Sequence, residues 1–234
     1  MRRVVERELL DELPANDPGA IRSRRDLQWL NRWMRNAENM CQALRSNLDS
    51  QPIRSIVEIG AGDGTFLLRV AQDLKGQRNS TNVFLVDKQP VVTSETCRAL
   101  DEGGWHPEVI SADVFDFFAQ SNQRYDAIIA NLFMHHFSET QLVSLLGQIS
   151  KLTGLFIAVE PRRWFWSVIG TRLLWATGCN AVTRHDAYKS VRAGFADSEL
   201  TALWPVTRGW QLKEGPANLS SHLFIARRLS NQSQ

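Results

Sequence analysis

The stretch IVEIGAGDGTFLLRVAQDL, residues 56–74, constrains this chain more than any other. Ile56, Val57 and Ile59 form an apolar run of the length of a buried strand. Gly60, Gly62 and Gly64 follow at alternate positions, where a missing Cβ permits a sharp turn and lets bare backbone lie against a ligand. Phe66, Leu67, Val70, Ala71 and Leu74 then recur at helical spacing. Strand, glycine turn and helix in succession open a nucleotide-binding βαβ unit. The dinucleotide fingerprint G-x-G-x-x-G needs a glycine where Thr65 stands, and an acidic Glu58 precedes the first glycine, so the pyrophosphate reading is weakened.

The next landmarks follow in order. Val83 to Val86 read as a strand ending in Asp87, 23 residues past Gly64, near the roughly 20-residue interval at which an acid meets ribose hydroxyls. EVISADVFDFF places Asp113 and Val114 after a third strand, YDAIIANLFMHHF ends a fourth at Asn131 and Leu132, and GLFIAVEP is a fifth. Alternating strands and helices argue for a parallel sheet with helices on both faces, and ligands in such sheets sit outside the carboxyl ends of the strands. Gly60, Asp87, Asp113 and Asn131 all fall there.

The E-x-G-x-G-x-G run together with these acids resembles the motifs of class I S-adenosylmethionine (SAM) dependent methyltransferases, over residues 53–160. The resemblance implies that the loop Gly60, Ala61, Gly62 and Gly64 lies along the methionine and ribose part of SAM, and that Glu58 helps hold its cationic amino group. It implies that Asp87, with Lys88 beside it, meets the ribose, that Asp113 and Val114 flank the adenine, and that Asn131 and Leu132 complete the cofactor site. The implied fold is α/β: a doubly wound, seven-stranded Rossmann-like sheet whose last strand runs antiparallel. WQLKEGPANLSSHLFIARR supplies the sixth and seventh strands, joined by a Gly215-Pro216 turn. The chain then divides into an N-terminal helical cover (1–52), the SAM-binding core (53–160), a helical lid (161–204) and the closing strands (205–234).

In the cover, Asp17-Pro18 is a helix start, and apolar residues from Leu27 through Met34 and Cys41 to Leu48 recur every three or four positions. That pattern predicts one long amphipathic helix over an end of the cleft. Arg22, Arg24, Arg25, Arg32 and Arg35 read as a solvated basic face or as the source of one arginine for the SAM carboxylate. A second helix is predicted from Pro90 to Leu100, and a capping box at Ser138-Glu-Thr-Gln141 opens another. The lid carries Trp164, Phe165, Trp166, Trp175, Tyr188 and Phe195 straight after the fifth strand, which suits an apolar or aromatic acceptor. Ordinary core packing is the plainer reading, and a tryptophan-rich helix over 164–175 could instead lie in a bilayer interface.

Composition excludes some classes. Hydrophobic content of 43% suffices for a sizeable core, and a net charge of +2 is too mild for a dedicated nucleic-acid binder. Cys41, Cys97 and Cys179 are too scattered for a disulfide framework or a C-x-x-C metal site, and no signal-peptide or membrane-spanning run stands out, so the expectation is a reduced, cytoplasmic chain.

A methyl acceptor that is an oxygen acid needs a base titrating near working pH, which histidine does. His136 and His135, just past the fourth strand, are the first candidates. His185, between Arg184 and Asp186, is the rival, while His106 and His222 read as loop and strand surface. The two prolines and aromatic that follow the asparagine in adenine and glutamine N-methyltransferases are missing after Asn131, which disfavours those substrates. No metal is expected, since magnesium-binding acids of the catechol type are not evident, although Glu160 keeps metal use open. The resemblance is nearest to ubiquinone and menaquinone enzymes and to polyketide and phenol methyltransferases. Methylation of a small aromatic or lipid-like acceptor is the expectation, on oxygen first, with carbon methylation of a quinone-like acceptor or a non-catalytic SAM-fold binding protein as alternatives.

Overall fold

The computed structural model describes residues 1–14, 16–48, 52–74, 80–165, 167, 171, 178–205 and 208–229. Its strands are β1 Ser55–Ile59, β2 Thr81–Asp87, β3 Trp105–Ser111, β4 Ala127–Asn131, β5 Leu155–Pro161, β6 Trp210–Pro216 and β7 Ser221–Arg228. They form one seven-stranded sheet in the order β3-β2-β1-β4-β5-β7-β6. The first five run parallel, and β7 runs antiparallel to both β5 and β6. The expected α/β Rossmann-like architecture is the one present.

Sequential side chains of one strand feed two cores, because the strand period is two. Ile56 and Ile129 meet Leu44, Leu67 and Val70 on one face, whereas Val57 and Ile128 meet Phe118, Leu142 and Leu145 on the other. Every residue of β4 and β5 is buried, as a parallel strand covered on both faces requires. The covering helices α4 Thr65–Asp73, α5 Ser94–Glu102, α6 Val114–Gln120 and α7 Glu139–Leu152 alternate with the strands. The Ser138–Gln141 capping box that opens α7 forms as expected. The strand order reverses between β1 and its neighbours β2 and β4, which leaves a crevice at their carboxyl ends.

Four expectations need correction. The predicted long N-terminal helix is two helices, α2 Pro18–Trp33 and α3 Asn36–Asn47, preceded by a short α1 Leu9–Glu12. Arg35 adopts left-handed φ 55° between them, which turns the chain so that the buried Asn36 amide can bond to Asn31 and Asn131. The helix after Asp87 starts at Ser94 rather than Pro90, because the Thr93 side chain caps it by accepting from Thr96 N–H. Gly215 and Pro216 end β6 instead of forming the turn, which lies at 217–220. His222 is buried, not on the surface, with Nε2 2.9 Å from Glu214.

Beyond β5 the described residues form α8 Ala181–Ala193 and α9 Glu199–Leu203. The helix expected over 164–175 falls mostly outside the described residues, with Trp166 and Trp175 among those left out. Phe195 is fully buried in the core, Phe165 and Tyr188 are exposed, and the Trp164 ring lies beneath the Arg162 guanidinium at 4.6 Å. No described helix is long and apolar enough to cross a membrane.

Candidate active site

A cavity of about 1300 Å³ opens at the carboxyl ends of β1, β2 and β4. It is lined by Gly60, Ala61 and Gly62 of the glycine loop with Glu58, Asp87, Lys88, Asp113, Val114, Asn131 and Leu132, and also by Glu8, Phe133, His135, His136, Phe137 and Trp164, whereas Gly64 lies outside the lining and faces Leu85, Val92 and Thr96. The α2 side chains Arg24, Trp29 and Trp33 join this lining.

The loop is held by β2. Gly60 N–H and Ala61 N–H both donate to Val86 O, and Gly64 N–H closes a turn on Ala61 O. Gly60, Gly62 and Gly64 all have positive φ, where a side chain is strained. Their surroundings differ. A Cβ on Gly60 would come within 2.2 Å of the Phe133 ring, so this glycine makes room for protein, whereas a Cβ on Gly62 would meet nothing within 4 Å. Gly62 therefore borders open space, the cradle a ligand would fill.

The acids are placed for different tasks. Asp87 accepts from Gly62 N–H at 2.9 Å and from Gln89 N–H at 2.8 Å, so it shapes the loop as well as facing the cavity. Asp113 caps α6 through Phe115 N–H and pairs with Lys88 Nζ at 2.7 Å. Its carboxyl is held below the ordinary carboxylate range because these partners outweigh the opposing effect of burial. Glu58 is 2% exposed, and its Oε2 has no hydrogen-bond partner among the described residues. Burial first, and then the charges of Asp63 and Asp87, push its carboxyl well above the usual range. A buried, unpartnered carboxyl on a cavity wall is the arrangement a cationic group would satisfy.

Asn131 is less free than the sequence implied. Its Oδ1 accepts from Asn36 and its Nδ2 donates to Asn31, while Asn36 Oδ1 accepts from Ser221 Oγ, so the side chain ties α2 and α3 to the sheet. Leu132 has φ 52° and donates its N–H to Val159 O, a strained turn that sets the loop after β4.

The three histidines occupy unlike places. His135 and His136 sit on a 3₁₀ turn, Met134–His136, organised by the fully buried Glu160 at the end of β5. Glu160 accepts from Phe133 N–H at 3.0 Å, Met134 N–H at 2.9 Å and His135 Nδ1 at 2.8 Å. His135 is 2% exposed; burial disfavours its charge, but Glu160 and Glu8 outweigh that and raise its pKa to about 9. Held protonated by these two carboxylates, it is a poor acceptor for a substrate's proton. His136 lines the cavity and is partly exposed, with Nδ1 3.3 Å from Asp11. His185 is not part of the lining and pairs with the adjacent Asp186.

Sequence reasoning missed the N-terminal segment, which has no local signal for a partner so far along the chain. Arg3 donates to the carbonyls of His135, Phe137 and Ala193, and Asp186 accepts the N–H groups of Leu9 and Leu10. Glu8 is thereby buried in the cavity wall, where Ser190 Oγ donates to it. Burial opposes its charge, yet His135, His136 and Ser190 hold its pKa down to about 2.

Sheet order, glycine loop and crevice together define the class I SAM-dependent methyltransferase fold. Residues 56–154 match the family described as a methyltransferase domain. Among solved structures, the chain is similar to the plantazolicin methyltransferase BpumL in complex with SAH, with 16% identity over 91% of each chain and a TM-score of 0.64. It is similar to the plantazolicin methyltransferase BamL in complex with a triazolic desmethylPZN analog and SAH, at 10% identity over 94% of this chain and 93% of that one, TM-score 0.66. It also resembles the mitomycin 7-O-methyltransferase MmcR, at 17% identity over 94% of this chain and 60% of that one, TM-score 0.62. No curated protein matches the chain.

Proposed function

We propose that the protein transfers the methyl group of SAM to a small aromatic or otherwise apolar acceptor, with a phenolic or polyketide oxygen as the favoured nucleophile. The observation that carries this reading is one cavity lined by both the glycine loop and an aromatic and histidine wall. At about 1300 Å³ it exceeds the ~300–1000 Å³ of an ordinary single-ligand site, so a cofactor and an acceptor fit side by side. The SAH in the plantazolicin enzymes and the O-methylation named for the mitomycin enzyme support the cofactor and the oxygen acceptor.

The residues fit SAM by their chemistry. Glu58 offers the orphaned carboxyl for an ammonium, Gly62 the open cradle, and Asp87 and Asp113 the acceptors for hydroxyl and amino donors. SAM supplies the electrophile, a methyl on a sulfonium. The chain's own task is to orient the acceptor, exclude water and take its proton. Trp29, Trp33, Phe133, Phe137 and Trp164 would hold an apolar ring, and His136 is the histidine left to receive a hydroxyl proton, since His135 is charged and His185 lies outside the lining.

A screen of phenols, quinols and polyketide pyrones with labelled SAM tests this directly. Trp164→Ala should raise the acceptor's KM more than the SAM dissociation constant. Transfer to none of these acceptors, with SAM bound, would overturn the acceptor class.

A further inference from the structure

Glu8, His135 and His136 place one ligand atom each within 4.8 Å of one another on the cavity wall. His135 is oriented as metal-bound imidazoles are: Nδ1 faces Glu160 Oε2 at 2.8 Å, which directs Nε2 away from the carboxylate. That Nε2 is buried and has no hydrogen-bond partner among the described residues, and Glu8 Oε1 stands 3.4 Å from it. Ligand atoms about 2.0–2.2 Å from a shared zinc lie roughly 3–3.5 Å apart, so the cluster needs only a small contraction to close on an ion. Two buried carboxylates, Glu8 and Glu160, converge on a single imidazole, and a dication would balance both.

We propose that Glu8, His135 and His136 form a divalent-cation site, with a borderline ion of the zinc type as occupant that displaces the Nε2 proton of His135 to solvent on binding. Two imidazoles and one carboxylate are a donor set for zinc, cobalt or iron(II) rather than for magnesium or calcium, which take oxygen ligands. The site would have open positions toward the cavity, since all three residues line it. A bound ion would cross-link the N-terminal segment, through Glu8, to the turn after β4. It would also occupy the His136 lone pair, so ion binding and proton acceptance by His136 exclude one another. The site stands on the geometry of the cluster and is independent of the acceptor's identity.

The test uses the full chain, stripped with a chelator and titrated with zinc by calorimetry, with cobalt(II) absorption read in parallel. One ion per chain is expected, with intense visible cobalt bands from a site of low coordination number, and affinity falling tenfold or more in Glu8→Gln and in His136→Asn. Both substitutions spare the buried His135, and thermal unfolding checks that each variant folds. Absence of zinc binding would overturn the site. Binding of unchanged strength in the Glu8→Gln/His136→Asn double variant would overturn it too, by assigning the ion to other histidines such as His106 or His185.

Discussion

Glu58→Gln separates two consequences of one buried carboxyl. Glu58 is raised above its unfolded pKa of about 4.3, so above that pH the folded chain holds a proton that the unfolded chain has lost. Stability therefore falls as pH rises, by up to about 1.36 kcal/mol per unit while the folded carboxyl stays protonated. The loss accumulates over the pH range in which the folded carboxyl keeps its proton and the unfolded one does not, and it appears as a falling Tm. Glutamine copies the shape of the neutral acid and does not titrate. The variant should match the native chain near pH 4.5 and become progressively more stable than it toward pH 7. Its SAM affinity should meanwhile drop about ten- to a hundredfold, the ~1.5–3 kcal/mol of a charge-assisted hydrogen bond. Thermal melts across pH and SAM titrations read both effects. Parallel pH profiles for the two proteins, or undiminished SAM affinity in the variant, would refute the reasoning.

The loop glycines should separate in the same way. Gly60→Ala should destabilise the fold through its clash with Phe133, whereas Gly62→Ala should cost only the ~1–2 kcal/mol of left-handed strain while sharply weakening SAM binding, both read by melts and calorimetry. For an oxygen acceptor, His136→Ala should lower turnover by a factor of about 10²–10⁴ with SAM affinity kept, and near-normal turnover would leave catalysis to positioning alone.

The centre of the sheet was legible because β1, β4 and β5 are buried on both faces and so read as nearly unbroken apolar runs, and because the acids recur where strands end. The division of labour among the glycines was not, since what a Cβ would meet at Gly60 is a phenylalanine from the loop after β4. The break at Arg35 was hidden because the apolar spacing of α2 runs on into α3, while the cause is a tertiary hydrogen-bond network at Asn36. The histidines were visible as residue types, but the charge state of His135 depends on Glu8 and Glu160, which sit at distant points of the chain. Glu160 did carry a signal, as an acid at the end of a fully apolar strand, yet only the fold shows it bonded to three residues of the β4 turn.

Calorimetric titration of SAM at pH 6, in two buffers of different ionisation heat, tests the central claim most directly. The expected result is one SAM per chain, a buffer-dependent heat showing that Glu58 releases its proton on meeting the cation, and no comparable binding of NADH. A chain that bound no SAM, or that bound NADH with similar strength, would contradict the account.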